Sequence, residues 1–328
     1  MSMQRAASFR GRPVVALCGG VGGAKLALGL DRLISADLTV IVNTGDDFEH
    51  LGLHVSPDID TVVYTLGGLS DLERGWGRAD ESWNFMEALG ALGGETWFRL
   101  GDRDLAMHVE RSRALRSGIS LTEFTVATTR RLGIAASILP MSDDRVETMV
   151  ITAERALPFQ RYFVGLQCAP VVKRLEFSNA ERAAATSQVL AALRNPDLVA
   201  IIICPSNPYL SVDPILAVSD IRRALDEVTA PIVAVSPLIG GQAVKGPTAK
   251  IMAELGLPAD SASIARHYRF IDGLIIDESD RAEAGKIDMP VRVTSTLMRS
   301  LGDRDRLAAD CLEFASHLAP GAQRRTAT

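Results

Sequence analysis

The sequence lacks the features that mark several specialised classes of protein. Its four cysteines in 328 residues lie far apart and show none of the paired spacing of zinc sites. No apolar run approaches the roughly 20 residues needed to span a bilayer. We therefore expect a cytoplasmic protein with no membrane partner and with buried thiols in a reducing compartment, at Cys18, Cys168, Cys204 and Cys311.

An excess of basic charge is also missing. The 35 lysines and arginines are outnumbered by 40 aspartates and glutamates, and the sequence pI is about 5.6. This balance argues against nucleic acid as a partner but leaves room for a local basic pocket that binds one small anion. Residues 1–13 contain no acid and no apolar stretch like that of a secretory signal, so we expect a flexible arm there and a flexible tail at 319–328.

Short runs of β-branched residues alternate with helical stretches along the chain. Because these runs are apolar on both faces, they predict strands of a parallel sheet that is covered by helices. The expected fold class is α/β, with a three-layer, Rossmann-like, doubly wound and mostly parallel sheet. The predicted strands are Val14–Leu17, Leu38–Val42, Leu198–Cys204, Pro231–Val235 and Leu274–Ile276.

Nothing in the composition divides residues 14–318 into separate domains. The stretch 73–177 has weaker alternation and more helical composition, so we expect it to form a partly helical cap on a single domain. In a doubly wound sheet, ligands bind at the carboxyl ends of the strands. Four unusual loops follow predicted strands and mark the expected active site: Gly19–Gly23, Asn43–Asp47, Pro205–Pro208 and Ser236–Pro247.

The first of these loops is rich in glycine and ends in a lysine. Glycines let backbone amides approach an anion, and the following helix adds the positive end of its dipole. The spacing is not that of a Walker A loop, since no Ser or Thr follows the lysine. The loop predicts a phosphate site, and a tight turn with a solvated lysine is the alternative. Its residues are Gly19, Gly20, Val21, Gly22, Gly23, Ala24 and Lys25.

Four carboxylates gather in the loops after the second predicted strand, at Asp46, Asp47, Asp58 and Asp60. Such a group is costly to assemble unless a cation or a proton transfer uses it, and magnesium prefers oxygen ligands. We therefore predict a metal-binding or catalytic role for this group. The alternative for Asp58 or Asp60 is to act as the N-cap of the helix that follows.

The segment Gly101–Asp104 places Arg103 between two aspartates. If the aspartates orient it, its planar guanidinium suits a phosphate or the edge of an aromatic ligand. A structural ion pair is the alternative. His108 lies one helical turn beyond Asp104, and we expect it to be a helix-face residue rather than a catalyst.

Two further loops complete the pattern. Ser206 and Asn207 offer hydroxyl and amide groups that read a purine edge or a ribose, although the same residues also build ordinary turns. The loop Ser236–Pro247, with Lys245 and Lys250, repeats the order of strand, glycine loop and helix. It predicts either a site for a second anionic group or a flexible loop.

In this order, the motifs resemble the family of 2-phospho-L-lactate transferases and phosphoenolpyruvate transferases of coenzyme F-420 biosynthesis. The likeness spans nearly everything from Val14 to about Asp280. It is carried by six blocks: GGVGGAK at Gly19–Lys25, NTGDD at Asn43–Asp47, SPDIDT at Ser56–Thr61, GDRD at Gly101–Asp104, LPMSDD at Leu139–Asp144 and PSNP at Pro205–Pro208.

The resemblance implies a transfer of a substituted phosphate group. The implied donor is a phosphorylated three-carbon acid joined through a diphosphate to guanosine. The ribityl hydroxyl of a deazariboflavin attacks the distal phosphorus and releases GMP. Magnesium is the implied cofactor, and a homodimer is the implied assembly.

The same resemblance implies roles for single residues. Asp60 and Arg103 would contact the deazariboflavin, and the glycine loop with Lys25 would cradle the diphosphate. Ser206 and Asn207 would face the guanosine. The candidates for metal ligand or general base are Asp46, Asp47 and Asp60.

Three points stay open at the level of sequence. The glycine loop has the form found in bacterial members, so the acid on the donor is phospholactate, phosphoenolpyruvate or phosphoglycerate. A nicotinamide or nucleotide-sugar enzyme is a rival, although Lys25 stands where the dinucleotide pattern wants glycine or alanine. A regulatory protein that binds a nucleotide sugar without turnover is the second rival.

Overall fold

The computed structural model describes residues 9–244 and 246–318. Most of the predicted arm, Lys245 and the predicted tail lie outside these ranges. The end of the arm packs against the domain, because Phe9 is buried and the Gly11 amide donates a hydrogen bond to Asp37 Oδ2 at 2.6 Å. Residues 9–13 are therefore part of the packed structure and not of a loose arm.

A parallel sheet lies at the centre of the domain. The strands are β1 (Val14–Cys18), β2 (Leu38–Val42), β3 (Phe48–His50), β4 (Leu53–Val55), β5 (Ser137–Pro140), β6 (Glu147–Ile151), β7 (Ala156–Pro158), β8 (Arg174–Ser178), β9 (Ala200–Ile203), β10 (Ile232–Val235), β11 (Leu238–Ile239), β12 (Gln242–Ala243), β13 (Gly273–Ile276) and β14 (Val291–Val293). Seven of them pair in the order β14-β13-β10-β9-β1-β2-β5, and each of these pairings is parallel. The predicted α/β class is confirmed. Within this sheet the sequence analysis missed the two edge strands, β5 and β14, and it did not predict the short strands of the three smaller sheets.

Helices cover both faces of this sheet. They are α1 (Gly20–Ile34), α2 (Pro57–Leu66), α3 (Asn84–Ala91), α4 (Asp102–Arg116), α5 (Leu121–Arg131), α6 (Ser187–Leu193), α7 (Asp213–Ala217), α8 (Ser219–Glu227), α9 (Thr248–Glu254), α10 (Ser261–His267) and α11 (Leu301–His317). Along β1, Val14 and Ala16 pack in one apolar core with α1, α2 and α11, while Val15 and Leu17 pack in a second core with α6, α8, α9 and α10. Both faces of each central strand are thus buried, which explains the unbroken apolar runs in the sequence.

The order of the strands reverses at β1. From β1 the chain first runs outwards through β2 to β5, and it later returns to β9 on the other side of β1 before continuing to β14. The loops that leave β1 and β9 therefore diverge and open a crevice at the carboxyl ends of these two strands. This is the position where doubly wound sheets bind ligands.

The predicted cap, 73–177, contains α3, α4 and α5, as expected from its helical composition. It also contains the edge strand β5. After β5 the chain forms a three-stranded antiparallel sheet in the order β7-β6-β8. The cap is thus two segments on either side of β5. None of the helices in the described ranges is long and apolar enough to cross a membrane.

Candidate active site

A cavity of about 750 Å³ opens at the point where the strand order reverses. Two groups among its lining residues differ in chemistry. The sheet-edge wall consists of Gly19, Gly20, Val21, Gly22, Lys25, Asp46, Asp58, Ser206 and Asn207. The aromatic wall consists of Trp76, Trp97, Phe98, Phe159 and Phe163.

The glycine loop packs tightly against the loop that follows β9. A Cβ atom on Gly22 would lie 2.5 Å from the carbonyl oxygen of Pro205, and one on Gly23 would lie 2.8 Å from Cys18 Sγ. Within this loop, only Gly20 has a positive φ, of 63°. Close approach between segments therefore explains most of these glycines, and Gly23 packs inwards without lining the cavity.

The first turn of α1 points its amides into this crevice, because α1 starts at Gly20 directly after β1. Amides of a first helical turn have no partner within the helix and suit an anion. Lys25 lies one turn further on, lines the cavity and donates a hydrogen bond from Nζ to the Met298 carbonyl at 3.2 Å. The predicted phosphate-binding residues other than Gly23 thus lie together at one place.

Ser206 and Asn207 line the cavity, but some of their polar atoms already form hydrogen bonds within the protein. Ser206 Oγ accepts a hydrogen bond from the Gly19 amide at 3.1 Å and donates one to the Gly19 carbonyl at 2.8 Å. Asn207 Oδ1 accepts from the amides of Tyr209 and Leu210, which caps a π-helical turn. Asn207 Nδ2 is buried and has no hydrogen-bond partner among the described residues, so it is the group of this pair that is available to a ligand.

Asp58 has a role that the sequence analysis did not identify. The N-cap of α2 is Ser56, so the expected N-cap role of Asp58 or Asp60 is wrong. Asp58 Oδ1 instead accepts a hydrogen bond from the Gly20 amide at 2.7 Å, and Oδ2 accepts one from Asn43 Nδ2 at 3.0 Å. Burial raises the pKa of Asp58 to about 6, although these two hydrogen bonds act in the opposite direction.

The two aspartates of the second loop differ in their surroundings. Asp46 lines the cavity, and its Oδ1 is buried without a hydrogen-bond partner among the described residues. Burial raises the pKa of Asp46 well above its ordinary value, and repulsion by Asp58 adds to the rise. Asp47 lies behind the cavity lining, where Oδ2 accepts a hydrogen bond from Ser56 Oγ at 2.7 Å and lies 3.1 Å from His54 Nε2.

Asp60 reaches the cavity from α2 and is paired with a buried arginine of α4. Arg111 NH1 donates to Asp60 Oδ2 at 3.1 Å, and Arg111 NH2 donates to Asp60 Oδ1. His108 is only 1% exposed and lies between Asp60 and Asp104, with Nε2 at 3.3 Å from Asp104 Oδ2. His108 thus lies on the buried face of α4 and lines the cavity, and the expectation that it is not a catalyst stays a prediction.

The Gly-Asp-Arg-Asp segment is arranged differently from the prediction. The flanking aspartates do not orient Arg103: Asp102 accepts hydrogen bonds from Ser82 and Asn84, and Asp104 accepts one from Tyr64. Arg103 is exposed and lies 3.6 Å from Asp80. It is not a lining residue in this structure, so its contact with a ligand stays a prediction.

Arg99, four residues earlier, lines the cavity instead. Its guanidinium lies over the ring of Trp83, 4.3 Å from the centroid. Arg161 lies in a similar way over Trp97, at 4.1 Å. One cation, Arg161, thus stacks on a ring of the aromatic wall, and another, Arg99, lines the cavity while stacking on Trp83 outside that wall; such a surface suits flat or anionic ligands.

The distances also bear on the predicted metal ligands. Within residues 9–244 and 246–318, one group of three His, Cys, Asp or Glu side chains has ligand atoms that all lie within 4.8 Å of one another, and it consists of Asp60, Asp104 and His108. The predicted set of Asp46, Asp47 and Asp60 does not meet this distance, because each belongs to a different set of hydrogen bonds. Asp46 and Asp58 are two buried carboxylates on the sheet-edge wall whose negative charges repel each other.

The loop after β10 closes another part of the cavity through Ser236, Pro237 and Ile239. Asp280 holds this loop by accepting hydrogen bonds from the amides of Gly240 and Gly241. A second anionic site gains no support from Lys250, because its Nζ is paired with Glu254 and bonded to the Pro170 carbonyl at 3.2 Å. Lys245 lies outside the described residues.

Comparisons with known proteins agree with this geometry. The chain is 39% identical to a phosphoenolpyruvate transferase of Streptomyces griseus over 93% of this chain and 99% of the relative. It is 40% identical to one of Kitasatospora aureofaciens over 94% and 99%, and 39% identical to one of Mycobacterium avium over 82% and 89%.

Comparison of structures and of family models gives the same result. A solved member of the UPF0052 family from Bacillus halodurans superimposes with a TM-score of 0.58 at 18% identity, covering 92% of this chain and 98% of that one, so the two share a fold. The model of a family described as 2-phospho-L-lactate transferase CofD matches residues 14–303. The chain therefore belongs to the CofD family of transferases.

Proposed function

We propose that this protein transfers a phosphorylated three-carbon acid from a guanosine diphosphate carrier to the ribityl hydroxyl of a deazariboflavin. A new bond forms between the hydroxyl oxygen and the distal phosphorus, the bond from that phosphorus to the bridging oxygen breaks, GMP leaves with the bridging oxygen, and the proton of the hydroxyl is released to solvent. The observation that supports this proposal is that the sheet-edge wall and the aromatic wall line one cavity. A diphosphate suits the first wall, and a flat ring suits the second.

The catalytic task in such a transfer is mainly alignment of the two substrates and stabilisation of phosphoryl charge. The amides of Val21 and Gly22, together with Lys25, would bind the diphosphate, since they line the sheet-edge wall. Asn207 Nδ2 is a donor for the nucleotide. Asp60 accepts a hydrogen bond from the attacking hydroxyl because its carboxylate reaches the cavity from α2.

The residues present fit a magnesium ion, and Asp46 and Asp58 are the side chains that would hold it. Asp46 has a buried oxygen without a hydrogen-bond partner among the described residues, and the two buried carboxylates repel each other. Magnesium supplies neutralisation of the negative charge on the transferred phosphoryl group. Asp47 and Asp60, the other predicted ligands, are held by His54 and Arg111.

Phosphoenolpyruvate is the first choice for the acid on the donor, because relatives that are 39% and 40% identical bear the name phosphoenolpyruvate transferase. Phospholactate and phosphoglycerate are the alternatives. The proposal includes a cytoplasmic location and a homodimer, as the family resemblance implies.

A mass-spectrometric assay tests this function. The protein is incubated with deazariboflavin, magnesium and, in separate reactions, donors that carry phosphoenolpyruvate, phospholactate or phosphoglycerate. We expect release of GMP together with a phosphodiester product, fastest with the phosphoenolpyruvate donor. Binding of guanosine nucleotide without product from any donor would contradict a transferase and favour a regulatory protein.

A further inference from the structure

Asp60 is held by an arginine that no sequence motif pointed out. Arg111 lies on α4, two turns beyond Asp104, and both of its terminal nitrogens donate to the two oxygens of the Asp60 carboxylate. Such a fork-to-fork pair fixes the plane of a carboxylate as well as its charge. The contact joins α2, which follows the central sheet, to α4 in the cap.

The surroundings of Arg111 leave it little freedom. It is 1% exposed, its NH1 also donates to the His54 carbonyl at 3.4 Å, and the ring of Phe124 lies 5.6 Å from its guanidinium carbon. Burial disfavours its charge, but the attraction of Asp60 outweighs this and raises the pKa of Arg111 above its ordinary value. The cation is therefore permanent, and Asp60 is the carboxylate paired with it.

His108 supports the same arrangement from the cavity side. Its Nδ1 lies 3.4 Å from Arg111 NH1, and because a guanidinium nitrogen can only donate, Nδ1 is the acceptor. The imidazole packs as a wedge between Asp60 and Asp104. This arrangement restricts rotation of Asp60 towards Asp104.

These contacts decide what Asp60 can do chemically. The Asp60 carboxylate is fixed in its plane by the fork of Arg111, which occupies one lone pair on each of its two oxygens. It remains a strong hydrogen-bond acceptor, since each oxygen keeps a second lone pair. A group of this kind can orient a substrate hydroxyl without taking its proton.

We propose that Arg111 is a positioning residue for the transfer, and that it holds Asp60 in one orientation to align the attacking hydroxyl of the acceptor. This inference rests on the proposed function, because it concerns the acceptor of that reaction. It also argues against a metal ion in the group Asp60, Asp104 and His108, since Arg111 already neutralises Asp60.

Steady-state kinetics of four variants test the inference. We expect Arg111→Lys, which keeps the charge but loses the fork, to lower kcat/KM for deazariboflavin about 10- to 100-fold through misalignment. The affinity for GDP should stay at the wild-type value, because no contact of the sheet-edge wall changes. Arg304→Lys is the matched control, as Arg304 is also a buried arginine but lies on α11 away from the cavity lining.

A double-mutant cycle separates positioning from a merely structural role. Asp60→Asn and the double variant Asp60→Asn/Arg111→Met are compared with wild type, and the double variant leaves no unpaired buried charge, which favours folding. When Asp60→Asn is already present, we expect Arg111→Met to lower kcat/KM by less than about 3-fold. Both substitutions remove the same interaction, the pair of Asp60 and Arg111. Losses that multiply, or a normal Arg111→Lys enzyme, would overturn the inference.

Binding of deazariboflavin, followed by its own fluorescence, keeps this test independent of turnover. Arg111→Lys should weaken that binding about 10-fold, while Arg304→Lys should not. A wild-type protein without GMP release contradicts the proposed function, and the binding comparison then still decides the role of Arg111. An active wild type with unchanged binding and kinetics in Arg111→Lys contradicts only the inference.

Discussion

The two walls of the cavity are built in opposite ways. On the sheet-edge wall, backbone and side chains are cross-linked, as in the bonds of Gly19 to Ser206 and of Gly20 to Asp58. On the aromatic wall, the rings contact one another and the solvent, and Trp76 and Phe163 are 46% and 38% exposed. The difference suggests a fixed site for the reacting phosphate and an adaptable one for a flat ring.

This contrast follows from the positions of the walls in the fold. The sheet-edge wall is anchored directly at the ends of buried strands, where the backbone cannot shift without disturbing the core. The aromatic wall belongs to the cap, where its rings lie on loops and on one short helical stretch. Precise alignment is most useful at the phosphorus, where a small displacement costs much of the rate.

The largest test of the sheet-edge wall is Asp46→Asn. We expect kcat to fall about 100- to 1,000-fold, because the variant loses a carboxylate that would hold the magnesium ion and thus the neutralisation of the phosphoryl charge. The measurement is the initial rate of GMP release during a titration with magnesium. Asp220→Asn, on α8 and outside the cavity lining, should behave as wild type. An Asp46→Asn enzyme with normal kcat would show that this carboxylate is only structural.

Gly22→Ala tests the tight packing of the same wall. Its added Cβ would lie 2.5 Å from the Pro205 carbonyl oxygen, so the two loops must separate. We expect a loss of about 1–3 kcal/mol in stability and a similar loss in GDP affinity, about 10- to 100-fold. Urea unfolding and calorimetric titration measure the two effects.

The control for that variant is Gly285→Ala, because no atom lies within 4 Å of a Cβ at Gly285. Its stability and GDP affinity should match those of the wild type. If Gly22→Ala also binds GDP normally, the glycine loop tolerates expansion and the contrast between a fixed and an adaptable wall is lost.

Trp97→Leu tests the aromatic wall. Trp97 packs edge-on against Phe98 with centroids 5.6 Å apart, and both line the cavity. Loss of its ring should weaken deazariboflavin binding about 5- to 10-fold and leave GDP binding unchanged. Trp83→Leu is the comparison, since Trp83 supports Arg99 from behind and should have the smaller effect. Equal losses of GDP and deazariboflavin affinity would contradict a division of labour between the walls.

A smaller effect distinguishes the arginine that the sequence indicated from the one that lines the cavity. We expect Arg99→Gln to raise the KM for deazariboflavin about 3- to 5-fold, because Arg99 lines the cavity. Arg103→Gln should raise this KM less. Steady-state kinetics with varied acceptor measure both. The reverse order would mean that Arg103 leaves Asp80 and enters the cavity, as the resemblance implies.

The sheet-edge wall could be predicted from the sequence because its loops directly follow buried strands. Residue types that are unusual after an apolar run indicate the glycine loop, the aspartate loop and the Ser206 turn. The same reasoning identified the parallel sheet. In that sheet it missed β14, which has three half-buried residues, and β5, which is buried at three of its four residues but lies within the stretch assigned to the helical cap.

The partners of these residues could not be predicted in the same way. Asp58 meets Gly20 across 38 positions of sequence, and Arg111 meets Asp60 across 51. Arg111 lies in no recognisable motif. Its contact with Asp60 exists because α2 and α4 are neighbours in the folded protein. Arg103 attracted attention because aspartates flank it, yet on a helix neighbouring residues point in different directions.

The measurement that tests the two-wall account most directly is simultaneous binding of GDP and deazariboflavin. The three tryptophans of the chain, Trp76, Trp83 and Trp97, all lie in the cap, so their fluorescence reports on the aromatic wall. The account predicts that deazariboflavin quenches this fluorescence equally well with and without saturating GDP, and that GDP alone leaves it unchanged. Displacement of deazariboflavin by GDP would show that both ligands compete for one wall and would contradict the account.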